Sequence, residues 1–281
     1  MQLELQSLFC PIQANGRVNS YKYVEITPSP LLRNHVSRYW ALEPSSLPDL
    51  ADSDMVDRVV PDGCTDILFE HDLVDNRYRI RYFGILDHPF RITYNEKRPV
   101  RKFGIRFFTG GAYPFIQTAL AEFSNRCYEL NDIWPGFAER MGKELFEQDS
   151  PYAKARVMEQ YLLTIAARSK IARDNLLSNL LYRIFASRGK ASVHELAQSE
   201  AISDRQMNRK FERWVGFSPK KFSEIVRFQL VVSEISKNRK PDWRMLALEY
   251  GFYDQAHFIR EFKRFYGESP VNAAKEFQKK V

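Results

Sequence analysis

Leu246-Ala247-Leu248-Glu249-Tyr250-Gly251-Phe252-Tyr253-Asp254-Gln255-Ala256-His257-Phe258-Ile259-Arg260-Glu261-Phe262-Lys263-Arg264-Phe265-Tyr266-Gly267-Glu268-Ser269-Pro270 restates a pattern already laid down between Leu196-Ala197 and Gly216-Phe217-Ser218-Pro219. The offset is 50 at the front of the pair and 51 at the back. The one-residue difference falls between the helix starting near each Leu-Ala and the helix holding Phe211 or Phe262, where a turn belongs. Each unit is therefore expected to be helix, tight turn, helix, written twice in one chain.

Local chemistry agrees with that expectation. Ser192-Val193-His194-Glu195 and Ser203-Asp204-Arg205-Gln206 both fit the capping box that starts a helix. On the second helix of the first unit, Met207, Phe211 and Trp214 share an arc, and Arg205, Arg209 and Glu212 fall opposite. In the second unit Phe258, Phe262 and Phe265 take the inner arc, which leaves Ala256, Ile259, Arg260 and Lys263 outward and Gln255 and His257 near the exposed first turn. Ser218-Pro219 and Ser269-Pro270 each set a capping residue before a proline at the first helical position. From Pro219 the apolar residues Phe222, Ile225, Val226, Leu230 and Ile235 keep helical spacing to about Lys237. Such a helix is about 30 Å long, close to the roughly 34 Å between successive major grooves on one face of B-DNA. One chain can then present two reading helices to adjacent grooves.

Charge is distributed to match. The 281 residues are 44% apolar and 27% charged, enough for a full core and for two domains. From Lys170 onward there are 22 basic and 13 acidic residues, whereas residues 1–169 hold 20 and 22. The basic excess belongs to the C-terminal part and points to a polyanionic partner. Arg168-Ser169-Lys170-Ile171-Ala172-Arg173 is short, basic and poor in large apolar residues, and Asp174 is a plausible N-cap for the helix after it. The division is therefore placed at residues 1–169 and 170–281. In the first part, Val56 to Val60, Thr65 to Phe69, Tyr78 to Phe83 and Phe103 to Phe108 read as strands, the later two alternating apolar residues with arginine around an expected wet face. A small barrel or sandwich followed by helices over 113–167 is expected, giving an α+β chain whose C-terminal domain is all-α.

Other classes find little support. The three cysteines, Cys10, Cys64 and Cys127, are odd in number and far apart, which fits reduced thiols in a cytoplasmic protein. Cys64 between Asp62 and Asp66 lacks the electropositive setting of a reactive thiolate. His35, His71, His88, His194 and His257 show no metal-ligand spacing, so no metal or other cofactor is expected. The first ten residues show no basic region before an apolar core, and no apolar run approaches the roughly 18 residues that span a bilayer, so no membrane association is expected. Gly110-Gly111 lacks phosphate-loop spacing and no Ser, His and Asp set stands out, so the chain is not expected to be an enzyme. A DNA-binding protein without sequence preference is the nearer rival, since it needs only phosphate contacts. Asn208, Gln255 and the outward arginines argue for base discrimination instead.

The second unit, from Gly251-Phe252-Tyr253-Asp254-Gln255 through Lys263-Arg264 with Gly267 and Pro270, closely resembles the signature of the AraC/XylS family of bacterial transcription regulators. The likeness covers residues 175–277. It implies a domain of two helix-turn-helix units bridged by a long helix, reading double-stranded promoter or operator DNA from the outer face of each second helix. Carried onto this chain, the contact positions are Arg205, Asn208 and Arg209, then Gln255, Ala256, Ile259 and Arg260, with His257 as a further polar candidate. Ala256 and Ile259 offer only apolar contact, for example to a thymine methyl. Arg58-Val59-Val60-Pro61-Asp62-Gly63-Cys64-Thr65-Asp66 is similar to a subset of such regulators, and other members carry a cupin-like barrel with helices for effector binding and dimerization. The resemblance implies a receptor or dimerization module. Aromatics between Tyr78 and Phe115 are candidates to line an apolar pocket for a small-molecule effector. Phe115, Phe123, Tyr161 and Leu162 are candidates for a homodimer surface, against the plainer expectation that they pack on their own sheet.

Overall fold

A computed structural model describes residues 5–14, 21–44, 55–94, 99–136, 138–168, 174–237 and 241–278. The short helix α1 (Leu5–Leu8) precedes seven strands: β1 (Tyr21–Ile26), β2 (Val36–Pro44), β3 (Met55–Val59), β4 (Thr65–Asp72), β5 (Arg77–Phe83), β6 (Phe90–Tyr94) and β7 (Val100–Phe107). Then come α2 (Tyr113–Ile116), a 3-10 turn at Leu120–Phe123, β8 (Cys127–Glu129), α3 (Leu130–Ile133), α4 (Ala138–Phe146) and α5 (Pro151–Arg168). The C-terminal part is helical throughout its described residues: α6 (Asn175–Ala186), α7 (Val193–Ser199), α8 (Asp204–Trp214), α9 (Pro219–Lys237), α10 (Trp243–Glu249), α11 (Gln255–Tyr266) and α12 (Pro270–Gln278).

Six strands form one antiparallel sheet in the order β1-β2-β7-β4-β5-β8, and β3 pairs separately with β6. The alternation explains what each face does. Tyr39, Ala41, Ile67, Phe69, Ile80, Tyr82, Phe103, Ile105 and Phe107 are buried on one face. Their neighbours Arg38, Trp40, Asp66, Leu68, Glu70, Arg81, Lys102 and Arg106 line a cavity on the other, closed by Val59 of β3 and Phe90 and Ile92 of β6. The arginines alternating along β5 and β7 thus face an interior space as well as solvent.

The expected helices over 113–167 are interrupted. Gln117 and Asn125 take left-handed backbone angles (φ 60° and 59°), which break the run into α2, the 3-10 turn and β8, and helix returns as the single turn α3 and then as the longer α4 and α5. Phe115, Phe123 and Leu162 are buried within the chain and Tyr161 is half-buried, so these side chains pack largely on their own protein.

The predicted division lies in a segment of which residues 169–173 fall outside the described residues. Apolar packing crosses it. One core joins the sheet residues to Leu177, Leu180, Ile184 and Phe185 of α6, Phe211 and Trp214 of α8, and Phe222 and Val226 of α9. Phe9 stacks on Phe185 at 4.7 Å and meets Phe222 edge-on at 6.5 Å, Phe108 meets Phe185 at 6.1 Å, and Tyr113 lies 4.3 Å from Trp214. A second core gathers α9, α10, α11 and α12 around Phe228, Phe258, Phe262 and Phe265, and takes in Ala14 and Val60 from the N-terminal half.

Candidate nucleic-acid interface

Both helix-turn-helix units are built from side chains that satisfy the unpaired amides at helix starts. Ser192 Oγ accepts from Glu195 N–H at 3.2 Å while the Glu195 carboxylate accepts from Ser192 N–H at 2.8 Å. Ser203 and Gln206 repeat this reciprocal box at 3.2 and 2.9 Å. In the second unit, Asp242 caps α10 and Asp254 caps α11, its Oδ1 accepting from His257 N–H at 2.6 Å. The turns match too. Ile202 N–H donates to the Ala197 carbonyl at 3.1 Å and Phe252 N–H to that of Ala247 at 2.9 Å, each after a residue with positive φ, Ala201 (51°) and Gly251 (72°).

This frame fixes which side chains face outward. Met207 and Phe211 of α8, and Phe258 and Phe262 of α11, are buried, so Arg209 and Arg260 occupy equivalent exposed positions 51 residues apart. Among the described residues, Arg205, Arg209, Arg260 and Lys263 make no ion pair. Several neighbouring basic residues are engaged: Lys210 with Asp174, Arg213 with the Tyr113 hydroxyl, Lys221 with Asp87 at 3.3 Å, and Arg264 with Glu224 at 2.8 Å. Uncommitted guanidinium groups on a helix face can give two parallel hydrogen bonds to guanine or to phosphate without first breaking an internal contact.

The remaining expected contact residues separate into two groups. Gln255 and Ala256 are exposed at the start of α11, as expected. Asn208, Ile259 and His257 are half-buried and already in use. Asn208 Nδ2 donates to the Asp204 carbonyl at 2.8 Å, Ile259 packs on the second core, and His257 Nδ1 accepts from Tyr253 N–H at 3.2 Å with its ring 5.8 Å from Phe252. His257 therefore closes the turn with its Nδ1, and only its other nitrogen is left for a partner.

The N-terminal half contributes a cavity of about 760 Å³ between its two sheets. Trp40 lies across Gly104 so closely that a Cβ there would collide with the indole, which keeps an apolar floor at the centre of the sheet. Around it, Arg106 bonds both oxygens of Asp66 at 3.1 Å and Asp62 at 3.0 Å, and Arg38 pairs with Glu25 at 2.8 Å. Burial opposes the charge on Arg106, but Asp62 and Asp66 outweigh it and raise its pKa well above the usual arginine value. Of the aromatics expected here, Phe83 and Phe90 line the space, whereas Tyr82, Phe103, Phe107 and Phe115 pack in the core. Cys64 also lines the cavity. Burial first and then Asp62 push its thiol pKa well up, consistent with an unreactive side chain. The charged lining was not expected from the sequence, where alternating arginine pointed only to solvent.

Two walls of this cavity also grip the helices. Gln229 of α9 accepts from Ile12 N–H at 2.8 Å and donates to the Pro61 carbonyl at 2.6 Å. Arg58 donates to the Tyr266 carbonyl at 2.6 Å, pairs with Glu276 at 3.3 Å and lies over the Tyr266 ring at 4.8 Å. The end of α11 is thus held by the strand that borders the cavity.

Residues 196–276 match a family described as a helix-turn-helix domain, and residues 24–129 match a domain of unknown function (DUF6597). An uncharacterized HTH-type transcriptional regulator of Haemophilus influenzae is 32% identical over 78 residues, covering 28% of this chain and 26% of its own. The HTH-type transcriptional regulator MtrA of Neisseria gonorrhoeae is 29% identical over 106 residues, covering 37% of this chain and 35% of its own. The matched segments thus span only about a quarter to a third of these relatives. A solved structure of a probable AraC family transcriptional regulator from Rhodopseudomonas palustris is similar at 26% identity, with a TM-score of 0.34, over 37% of this chain and 98% of its own. No helix among the described residues is long and apolar enough to cross a membrane. The helix-turn-helix match begins inside α7, after its Ser192 cap, and takes in α8, α10 and α11, so the C-terminal part of the chain is an AraC-type helix-turn-helix domain similar to those of transcription regulators.

Proposed function

We propose that the protein is a sequence-specific, double-stranded-DNA-binding transcription regulator of the cytosol that places α8 and α11 in adjacent major grooves. The observation that carries this is the duplicated pair of capped helices with Arg209 and Arg260 exposed, unpaired and at equivalent positions. Arg205, Gln255 and Ala256 extend the reading surface, and Asn208, His257 and Ile259 join it only by giving up contacts they already make. A second element of the proposal is an effector site, favoured by the cavity of about 760 Å³, which falls in the usual size range of ligand pockets. The effector would act on α9 and α11 through the segments 10–13 and 58–62, which line the cavity at Cys10 to Gln13, Val59, Val60 and Asp62 and touch the helices at Ile12, Arg58 and Pro61. The test is a footprint of the purified protein on its own promoter region, with and without candidate metabolites. Two protected major-groove segments on one face are the expected result, and uniform protection of any duplex would set the proposal aside.

A further inference from the structure

The structure identifies the residue behind the offset of 50 and 51. Up to Ile202 and Phe252 the two units match at 50, in the same hydrogen bond and after the same positive-φ residue. From the N-caps Ser203 and Asp254 onward they match at 51. Tyr253 is therefore the inserted residue. It is also 92% exposed, more than any other large apolar or aromatic residue among those described.

Its surroundings account for that exposure. Phe252 fills the inward slot of the turn, and the Tyr253 N–H is held by His257 Nδ1 at 3.2 Å, so the side chain projects from the lip of α11 directly before the N-cap. The adjacent Asp254 carboxylate is spent on capping the helix and does not pair with the ring's neighbours. We propose that Tyr253 is a DNA contact of the second unit with no counterpart in the first, its phenol docking on the sugar–phosphate backbone at the edge of the groove that α11 enters. This rests on the DNA-binding function proposed above. A helix-turn-helix inserts the N-terminal turn of its reading helix, which puts the residue just before the cap at the groove wall. A tyrosine there supplies a rigid apolar ring for the sugar and a hydroxyl that donates to a phosphate oxygen. Proximity to Gln255 and Ala256, two and three residues on, favours DNA over a protein partner as its target.

The experiment compares the full-length protein with Tyr253→Phe, Tyr253→Ala and Arg260→Ala on the operator defined by footprinting, at one fixed salt concentration and then across a salt series. Thermal melting confirms that each variant is folded. Tyr253→Phe is expected to bind about three- to tenfold more weakly, and Tyr253→Ala more weakly still. Neither should change the slope of affinity against salt, since a neutral phenol releases no counterion. Wild-type affinity in Tyr253→Ala alongside weakened Arg260→Ala would overturn the role of Tyr253 and leave the DNA-binding function standing. Wild-type DNA affinity with lost transcriptional output would overturn it in favour of a protein partner. Absence of site-specific binding by the wild type would overturn both.

Discussion

At the scale of single residues, the proposed reading of DNA depends on which basic side chains are left uncommitted. Arg209 and Arg260 each stand free on the outer face of a reading helix, whereas Lys210 and Arg264 are tied to carboxylates. Arg209→Ala and Arg260→Ala should each cost about 1–3 kcal/mol of binding to the operator and less on random duplex, as read by competition at one salt concentration. Asn208→Ala should cost less than either, because its amide already bonds Asp204. Acid acts on a different set. Hydrogen bonds from the Ser192 backbone and hydroxyl hold Glu195 below the usual carboxylate range. Burial works to raise Asp87, but His88, Lys221 and Asn125 outweigh it and hold it low as well. A carboxyl lowered in the folded state stabilises above its unfolded pKa and loses that contribution as pH falls through the lower folded value. Melting temperature should therefore hold from neutral pH to about 5 and fall below about 4, with the drop reduced in Glu195→Gln. Capping residues such as Ser192, Ser203 and Asp254 were legible in the sequence because their chemistry is local. The occupation of Asn208 and His257 was not, since helical periodicity states a direction but not a partner.

At the scale of elements, α9 does more than set a distance. Its 19 residues, about 28 Å at 1.5 Å each, bury Phe222 and Val226 in the first core and Phe228, Val231 and Val232 in the second. Gln229 sits between them, 2% exposed, with both ends of its amide bonded to backbone of the N-terminal half. Gln229→Leu would keep the volume but strand the Ile12 amide and the Pro61 carbonyl, at a cost of about 1–3 kcal/mol. Urea unfolding should show that loss as a lower midpoint with little change in slope. The helix itself was readable from Pro219 and its apolar spacing, but a buried glutamine on it carried no sequence signal of what it would meet. Strands fared unevenly for a physical reason. β4, β5 and β7 alternate cleanly, whereas β2 carries a register shift between Val36 and Arg38, and β8 has only three residues. β8 is too short for its period to stand out, and β2 sets apolar residues on both faces at Tyr39-Trp40-Ala41-Leu42, which hides its alternation.

At the scale of the whole molecule, the two halves are joined by more than a linker. Phe9 and Phe108 cover Phe185, Phe9 also covers Phe222, Tyr113 covers Trp214, and Arg58 caps the end of α11. The charge asymmetry and the repeat made the two parts separable on paper, but apolar residues in α6 and α9 look the same in sequence whether they face their own bundle or another sheet. This has a direct consequence for residues 170–281 expressed alone. Removing the N-terminal half uncovers Phe185, Phe222 and Trp214 together, and each large side chain returned to water forfeits about 1.5–3 kcal/mol. Summed over three, that approaches the stability of a small domain, about 5–15 kcal/mol. The fragment should keep helical circular dichroism, melt well below the full-length protein or without a cooperative transition, and bind a hydrophobic dye. The full-length chain should lose its far-ultraviolet signal and the near-ultraviolet signal of its aromatic side chains in one coincident transition. A fragment that melts cooperatively at the full-length temperature would show that the shared core contributes little to holding α6, α8 and α9 in place.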